Sequence, residues 1–505
     1  MRTQILKSLA AGLLLAACAP VAHAAAAQQA TRLTLDASAA GTPFPHFWEK
    51  IFGSGRAVLT LRDSYRRDLA AVKQVADFDY VRFHAIFHDE AGLYNEDAHG
   101  NVTYNFSYID QIYDGLLENH VRPFVELSFM PRQLSTSPPV VHPFWYKPLV
   151  SPPKDWKRWD AMITAFARHL IERYGINEVA QWYFEVWNEP NIDFWAGDPK
   201  YETYLELYTH TARAVKAANS RLRVGGPSTA QAAWVDRFLR DLEQRQIPID
   251  FASTHVYAND TADNVFGTKE DIPRDQMVCR AVKKVHDQIA ASAHPNLPLI
   301  FSEYNASYMN EPEITDTVYM GPWMANTIRL CDGLVDVMAY WTFSDVFEEQ
   351  GVVKTPFYGG FGLMAERNIP KPAYNAFGLL HRLGNRRLPL DSDSALATRT
   401  QEGKLEIALW NLVPAGGSGG EKTIRLHVEN TAANSHARLW RVDADHGNVL
   451  KAFHAMGSPA SPNAEQIAEL RKAARQPMAE PIELQNGSVE ISIPASGLVL
   501  LEIDK

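Results

Sequence analysis

Two glutamates close apolar stretches of this sequence: Glu189 in "WYFEVWNEPN" (182–191) and Glu303 in "PLIFSEYN" (298–305). A carboxylate is costly inside a dry strand, so we expect both to stand where a strand opens onto a site. Two carboxyl groups that face each other can hydrolyse a glycosidic bond, because one protonates the leaving oxygen while the other attacks or stabilises the anomeric carbon. The sequence therefore predicts that the two converge within about 5 Å, the separation that suits double displacement.

Three further side chains fit this chemistry by their positions. Arg82 lies in the apolar stretch "YVRFHAIF" and supplies a cation that keeps a nearby carboxylate ionised. Tyr257 ends "FASTHVY" and is placed to donate a hydrogen bond to Glu303. Asn188 precedes Glu189, where an amide can hold a sugar 2-hydroxyl group.

Each of these residues also has a purely structural interpretation. A single glutamate at a strand end is more often a capping or salt-bridge residue, and a buried arginine usually pairs with carboxylates. His84 and His255, also at strand ends, are as well explained by hydrogen-bonded wall residues as by substrate contacts. Glu126 and Glu185 stand earlier in their strands, which favours a structural role. The pair Glu189 and Glu303 is what favours catalysis.

The surrounding pattern predicts an α/β fold, a (β/α)₈ TIM barrel. Short apolar runs alternate with longer amphipathic ones from about residue 45 to 370, which is typical of parallel strands joined by helices. The predicted strands cover residues 50–55, 80–87, 122–130, 181–189, 222–228, 251–257, 298–305 and 337–345. Active sites of such barrels form at the C-terminal ends of the strands, where Glu189 and Glu303 stand.

The C-terminal part of the chain has a different pattern. From about residue 385, alternating stretches such as "KLEIALWNLV" and "GSVEISIPASGLVLLEI" are separated by turn residues, which predicts an antiparallel β-sandwich. The stretch "TRLTLDAS" (31–38) is predicted to join that sandwich, and "GGSGG" (416–420) to form a hairpin tip. We therefore expect a barrel at 40–375 and an accessory sandwich made of 25–39 and 376–505.

The N-terminus predicts export. Arg2 and Lys7 lead into a short apolar run that ends in the small-x-small triplet at residues 22–24, so residues 1–24 are read as a signal peptide. This predicts a periplasmic or secreted protein. A second interpretation stays open, because "LAAC" (15–18) matches a bacterial lipoprotein box that would anchor the protein through Cys18. No later run is long and apolar enough to predict a membrane-spanning helix.

Composition narrows the partners further. The formal net charge of -10 at pH 7 predicts no basic surface for nucleic acid or anionic lipid. Oligomeric state is left open by the sequence. Beyond residue 24 the cysteines are Cys279 and Cys331, both in helical patterns. They are read as buried thiols, although export would permit a bridge between them.

The motifs together resemble glycoside hydrolase family 39. The resemblance rests on "EVWNEPN", "HVY", "FSEYN" and "YWTFSDVFEEQG" and extends over the predicted barrel and sandwich. "NEP" alone is shared across a large clan of retaining glycosidases, whereas "WTFSDVFEE" is more specific. The resemblance implies that Glu189 is the acid/base, that Glu303 is the nucleophile, and that the reaction retains configuration.

The resemblance also implies a set of substrate contacts and no metal or other cofactor. Residues matching those that bind xylose in similar enzymes are Asn188, His255, Tyr257, Trp341 and one of Glu348 and Glu349. Adjacent residues cannot both face the pocket, and the sequence does not decide between these two glutamates. His84 is a further candidate by its position.

The family consists chiefly of β-xylosidases, with α-L-iduronidases as a second branch. Asp345, Glu348 and Glu349 make the end of the last predicted strand a poor place for the carboxylate of an iduronide. We therefore expect an exo-acting β-xylosidase that acts on xylo-oligosaccharides. The alternatives are an endo-acting enzyme, an α-L-arabinosidase or α-L-iduronidase, and a catalytically silent carbohydrate-binding barrel.

Overall fold

The computed structural model describes residues 30–417, 419–432 and 435–504. Its central feature is a closed barrel of parallel strands, which we number barrel strands 1 to 8 in chain order. They are Ile51–Gly53, Tyr80–Phe83, Arg122–Glu126, Tyr183–Glu185, Arg223–Thr229, Phe251–Tyr257, Leu299–Asn305 and Val337–Tyr340. Strand 8 closes the barrel by pairing with strand 1, through Ala339 and Ile51. The predicted TIM barrel is confirmed, and each predicted strand overlaps an observed one.

Helices surround the barrel, and the longest show why they form where they do. Trp156–Tyr174 begins after Asp155, whose side chain accepts from the backbone N–H groups of Lys157 and Arg158, and it ends at Gly175 with φ of 80°. The α-helices from the barrel region are Asp63–Val72, Ser107–Leu117, Trp156–Tyr174, Ile176–Val179, Lys200–Ala218, Val235–Arg245, Ala262–Phe266, Arg274–Ala290, Pro312–Thr315, Met320–Cys331 and Pro372–Leu380. Within the described ranges, no helix is long and apolar enough to cross a bilayer.

The inside of the barrel changes character along its axis. Near the N-terminal ends of the strands it is filled by an apolar cluster of Ile51, Phe124, Phe251, Ile300 and Ala339. Toward the C-terminal ends the buried side chains are charged or polar, among them Arg82, Glu126, Glu185, Ser302 and Glu303. This apolar base supports a polar layer directly beneath the barrel mouth.

The remaining strands form two facing sheets, which confirms the predicted β-sandwich. The larger sheet contains, in spatial order, Thr42–Pro43, Arg386–Arg387, Ala395–Arg399, Leu405–Trp410, Leu498–Ile503, His436–Val442 and Glu480–Glu483. The smaller contains Thr31–Asp36, Lys422–Glu429 and Ser488–Ile493. The N-terminal strand joins the sandwich as predicted, and it runs parallel to Lys422–Glu429. Apolar side chains from both sheets form a separate core.

The structure corrects one local detail of the sandwich. The connection between Leu405–Trp410 and Lys422–Glu429 is not a hairpin, because these two strands lie in different sheets. The long insertion between His436–Val442 and Glu480–Glu483 carries two helices, Val449–Ala455 and Ala464–Ala473. These helices pack on Phe357 and Ile369, in the segment that follows the last barrel strand.

The two parts of the chain interlock at their junctions. Thr42–Pro43 belongs to the larger sandwich sheet although it was assigned to the barrel segment, and the predicted boundary between 375 and 376 falls inside helix Pro372–Leu380. The predicted signal peptide at 1–24 and Cys18 lie outside the described residues.

The two cysteines are joined by a disulfide bond, where the sequence favoured two thiols. Cys279 belongs to helix Arg274–Ala290 and Cys331 ends helix Met320–Cys331. These helices are neighbours on the outside of the barrel, which brings the two Cα atoms to 5.2 Å. Helical periodicity indicated burial, but it carried no information on which helices pack together.

Candidate active site

Glu189 and Glu303 meet in a cavity at the C-terminal mouth of the barrel. The cavity has a volume of about 340 Å³. Its lining includes His84, His142, Phe144, Asn188, Glu189, Phe194, Gln231, Tyr257, Asp260, Glu303, Tyr308, Trp341, Glu349 and Phe361. Seven of the ten site residues predicted from the sequence line it, namely His84, Asn188, Glu189, Tyr257, Glu303, Trp341 and Glu349.

Glu303 lies within barrel strand 7, whereas Glu189 stands beyond the end of its strand. Strand 4 ends at Glu185, earlier than the predicted limit of 189. The chain then turns through left-handed backbone conformations at Trp187 (φ 71°) and Glu189 (φ 43°), and the Glu189 N–H donates to the carbonyl of Ser228 at 2.8 Å. Such conformations are unfavourable for residues other than glycine, and they concentrate at functional sites.

The two carboxyl groups have the separation of a retaining glycosidase. One oxygen of Glu189, one oxygen of Glu303 and a ring nitrogen of His255 all lie within 4.8 Å of one another. Retaining enzymes hold their carboxyl groups about 5–5.5 Å apart, whereas inverting enzymes leave about 6.5–9.5 Å for a water molecule. The geometry therefore suits direct attack by one carboxylate.

Arg82 lies beneath the pair and is fully buried. Its guanidinium contacts Glu126 at 2.8 Å, Glu185 at 2.6 Å and Glu303 at 2.6 Å. It also donates to the side-chain oxygen of Asn188 at 2.9 Å. The structural role expected for Glu126 and Glu185 is thus observed, since both hold the guanidinium that reaches Glu303.

The environments of the two glutamates differ in the direction that the chemistry needs. Burial raises the pKa of Glu189 well above its usual range, and the negative charges of Glu303 and Asp260 raise it further. Burial also raises the pKa of Glu303, but Arg82, His84 and a hydrogen bond from Tyr257 oppose that rise. The Tyr257 hydroxyl donates to Glu303 at 2.7 Å. When the pair holds one proton, we therefore place it on Glu189.

The histidines occupy opposite sides of the pair. His84 Nδ1 is 2.6 Å from Glu126, and its Nε2 is 3.6 Å from Glu349. His255 Nδ1 is 3.0 Å from Glu189. Burial lowers the pKa of His84, but the Glu126 carboxylate outweighs this effect and the net shift is upward. Burial lowers the pKa of His255 well below its usual value, and the charge of Arg82 adds to that effect.

The structure separates the two adjacent glutamates of the strand-8 motif. Glu349 lines the cavity, whereas Glu348 is bound by Arg62 at 2.5 Å and by Arg56 at 3.2 Å. Glu348 has φ of 67°, a left-handed backbone conformation, and the two adjacent side chains have different surroundings. Of the two glutamates between which the sequence did not decide, Glu349 is therefore the one that faces the cavity, and the carboxylate of Glu348 is paired with Arg56 and Arg62 away from it. Burial raises the pKa of Glu349 to about 8.

Asp345 is also turned away from the cavity, so only one of the three acids in the motif faces it. Asp345 and Asp316 bind the buried ammonium of Lys371 at 3.1 and 2.7 Å. Lys371 donates in addition to the carbonyl of Gly360 at 2.7 Å, and Asp345 accepts from Gly362 N at 2.6 Å. This network holds the segment that carries Phe361 in the cavity wall.

Trp341 forms an aromatic wall with Tyr257, Phe347 and Phe361. Its indole lies over Gly53 so closely that a Cβ atom there would come within 2.0 Å of the ring. Any larger residue at position 53 would therefore displace the predicted substrate-binding tryptophan. The sequence gives no sign of this role of Gly53, because Trp341 follows the last barrel strand and Gly53 belongs to the first.

Several lining residues were not predicted from the sequence. His142, Phe144 and Phe194 come from irregular segments after strands 3 and 4, and Gln231 and Tyr308 from segments after strands 5 and 7. Loops have no periodicity that orients a side chain, so only their position after a barrel strand could have suggested them.

Two groups of side chains among the described residues have the ligand types and the spacing of a cation site. Glu189, His255 and Glu303 are close enough to share an ion, as are His46, Glu49 and His381 elsewhere. In the cavity, however, one Glu303 oxygen already accepts from Arg82 and the other from Tyr257. The hydrogen bonds from Arg82 and Tyr257 therefore suit a free Glu303 carboxylate rather than one bound to a metal ion.

Comparisons with known proteins agree with the geometry. Residues 31–488 match the sequence profile of the glycosyl hydrolases family 39. A β-xylosidase of Geobacillus stearothermophilus is 37% identical over 475 residues, which cover 92% of this chain and 93% of that protein. The crystal structure of a monomeric β-xylosidase from Caulobacter crescentus CB15 has a TM-score of 0.85 at 32% identity and covers 94% of this chain and 99% of that one. An α-L-iduronidase of Canis lupus familiaris is 29% identical over 45% of this chain and 34% of that protein.

Proposed function

The chain belongs to the glycosyl hydrolases of family 39, as its motifs predicted, and we propose that it is an exo-acting β-xylosidase. It releases xylose from the non-reducing end of xylo-oligosaccharides with retention of configuration. The observation that carries this proposal is the approach of Glu189 and Glu303 within 4.8 Å, with both oxygens of Glu303 held by donors.

The first half of the reaction follows from the different environments of the two carboxyl groups. Glu303, kept ionised by Arg82 and Tyr257, attacks the anomeric carbon as Glu189 transfers its proton to the departing glycosidic oxygen. A covalent ester between the sugar and Glu303 results. The Asn188 oxygen accepts from Arg82, which leaves its amide N–H groups to donate toward the sugar 2-hydroxyl.

The second half reverses the roles. Glu189, now a carboxylate, removes a proton from a water molecule that attacks the same carbon and releases Glu303. Each displacement inverts the anomeric carbon, because water attacks from the face opposite Glu303, so the two together restore the original configuration. The repulsion between Glu189 and Glu303 disappears while Glu303 is esterified, so the pKa of Glu189 falls in the intermediate and rises again as the product forms.

The residues that line the cavity favour a neutral sugar as the substrate. Among the described residues that line it there is no lysine or arginine, and the donors of Arg82 beneath are directed to Glu126, Glu185, Glu303 and Asn188. A sugar carboxylate calls for a free cation with charge-assisted hydrogen bonds. An α-L-iduronide would meet Glu349 instead.

Hydrolysis of aryl glycosides tests the proposal. We expect wild-type protein to cleave p-nitrophenyl β-D-xyloside faster than the corresponding arabinoside, glucoside and iduronide. Glu303→Ala is expected to abolish turnover, whereas Glu189→Ala should lose far more activity on xylobiose than on aryl xylosides with good leaving groups. The anomer first formed, followed by proton NMR, should be β-xylose.

Each alternative predicts a different result. Release of xylo-oligosaccharides rather than xylose from xylohexaose would indicate endo action, and preference for the iduronide or arabinoside would reassign the substrate. A folded wild-type protein that binds xylo-oligosaccharides but cleaves none of these glycosides would be a carbohydrate-binding barrel.

We also infer that the protein is exported. Residues 1–24 have the composition of a signal peptide, and the Cys279–Cys331 disulfide is of the kind that persists in oxidising compartments. Mass spectrometry of the protein from periplasmic, membrane and medium fractions tests this inference. Cleavage after Ala24 indicates a secreted or periplasmic form, and a lipidated N-terminal Cys18 indicates anchoring.

A further inference from the structure

His255 links the proposed acid/base to a second, deeper carboxylate. Its Nδ1 is 3.0 Å from Glu189, and its Nε2 is 3.2 Å from the Ser302 hydroxyl. Ser302 in turn donates to Glu185 at 2.6 Å. His255, Ser302 and Glu185 are all fully buried, so bulk water does not compete for these hydrogen bonds.

The direction of the chain of hydrogen bonds is set at its buried end. Glu185 is in contact with the guanidinium of Arg82 at 2.6 Å, so it is a carboxylate that only accepts. Ser302 therefore donates its single hydroxyl proton to Glu185. Its oxygen can then only accept a hydrogen bond from His255, so the ring must carry a proton on Nε2.

A neutral His255 ring carries one N–H proton, on either Nδ1 or Nε2. A buried imidazole that faces the Arg82 guanidinium and His84 is held neutral, and its pKa lies well below the usual value. A neutral ring with hydrogen on Nε2 has a lone pair on Nδ1. That lone pair faces Glu189 at 3.0 Å and Glu303 at 3.6 Å.

We propose that Ser302 and Glu185 hold His255 in its Nε2–H tautomer, so that Nδ1 accepts the acid proton of Glu189 in the free enzyme. Ser302 is thus a positioning residue that acts through His255. This inference rests on the proposed function, in which Glu189 is the acid/base.

The arrangement serves both halves of the reaction. In the free enzyme it directs the Glu189 proton to His255 rather than to the Glu303 carboxylate, which stays ready to attack. After proton transfer, the Glu189 carboxylate receives no hydrogen bond from Nδ1 and remains a good base. The other charged groups that face Glu189 are Glu303, Asp260, Arg82 and Glu349.

Removal of the Ser302 hydroxyl should shift the pH dependence of the reaction in one direction. In Ser302→Ala the Nε2–H loses its acceptor, so the ring proton moves to Nδ1 and donates to the Glu189 carboxylate. Because a hydrogen bond to the charged form lowers a pKa, the alkaline limb of the kcat/KM profile for an aryl xyloside should shift to lower pH by about one unit. Ser302→Thr keeps the hydroxyl and should keep the wild-type limb. An unchanged limb in a folded Ser302→Ala protein would overturn the proposal.

A direct measurement on the unaltered enzyme covers the case in which Ser302→Ala does not fold. Selective ¹⁵N-histidine labelling, with His255→Asn to assign the resonance, should show a protonated Nε2 and an unprotonated Nδ1 at neutral pH. A protonated Nδ1 would refute the tautomer without affecting the role of Glu189. Failure of the role of Glu189 would be seen separately, as an activity of Glu189→Ala that does not depend on the leaving group.

Discussion

Arg82 and Glu303 are 221 residues apart in the chain, yet Nη1 of the arginine lies 2.6 Å from Oε1 of the glutamate. The same guanidinium contacts Glu126 and Glu185, so one buried positive charge serves three carboxylates. Arg82 is therefore the cation that favours the ionised form of the proposed nucleophile, and it is also the centre of the polar layer of the barrel.

Replacement of Arg82 should reduce stability and activity together. Arg82→Met leaves buried carboxylates unpaired, and we expect it to lower the free energy of unfolding by about 3–5 kcal/mol. Urea denaturation and kcat on an aryl xyloside measure the two effects. Arg122→Met, which breaks a partly exposed pair with Glu178, is the control and should cost no more than about 1 kcal/mol. Equal stability of the two variants would contradict the central role of Arg82.

Loss of the Tyr257 hydroxyl should raise the pKa of Glu303. The hydroxyl donates to the ionised carboxylate, so Tyr257→Phe should move the acid limb of the kcat/KM profile to higher pH. Loss of about 1.5–3 kcal/mol from a charged hydrogen bond corresponds to a fall in rate of about 10- to 100-fold. Tyr304→Phe removes the hydroxyl of the next, likewise buried tyrosine, which is not hydrogen-bonded to Glu303, and should leave the limb in place. A similar shift in both variants would show that the hydrogen bond is not the cause.

Glu349 and Glu348 provide a matched pair of substitutions. Glu349→Gln removes a carboxylate from the cavity, so we expect a higher KM for aryl xylosides. Glu348→Gln weakens the contacts with Arg56 and Arg62 and should change stability while KM stays near the wild-type value. Steady-state kinetics and thermal unfolding separate the two. A change of KM in Glu348→Gln alone would reverse the assignment.

The raised pKa of Glu349 also predicts a pH dependence of stability. In the folded protein the pKa is about 8, against an ordinary value of 4.5. Between these values the folded state binds more protons than the unfolded state, so this group makes stability fall as pH rises from 4.5 to about 8. Glu349→Gln should therefore gain stability relative to wild type between pH 5 and pH 8, measured by urea denaturation. A constant difference across that range would count against a buried, protonated Glu349.

The disulfide should stabilise the chain by closing a long loop. The bridged cysteines are 52 residues apart, for which loop closure predicts about 4 kcal/mol. The Cys279→Ala, Cys331→Ala double variant should unfold at correspondingly lower urea concentration, and reductant should bring the wild type toward it. Peptide mapping under non-reducing conditions identifies the bridge directly. Two free thiols in protein isolated from the periplasm or medium would contradict it.

Much of the fold and of the catalytic pair was predictable because their signals are local. A barrel strand is a short apolar run, and a polar residue at its C-terminal end points to the mouth, so Glu189 and Glu303 could be located without a structure. Tyr257 followed from the same rule and Arg82 from its place on a predicted strand, and the structure brings both to Glu303. The N-terminal strand was predicted to join the sandwich, where the structure places it.

Other features depended on which distant segments meet. Glu348 and Glu349 are the same residue type at adjacent positions, and only the approach of Arg56 and Arg62 to Glu348 shows which one faces the cavity. The pairing of Cys279 with Cys331 required two particular helices to be neighbours. The orientation proposed for the Glu189 proton depends on His255, Ser302 and Glu185, which lie on three barrel strands.

The sequence by itself therefore determined the strands, the barrel and the two carboxylates at its mouth, since periodicity and strand ends are properties of neighbouring residues. Tertiary structure alone decided which acids are paired with cations, which cysteines are joined and which groups surround the two carboxyl groups. Those outcomes depend on desolvation and on hydrogen bonds between groups that only the closed barrel brings together.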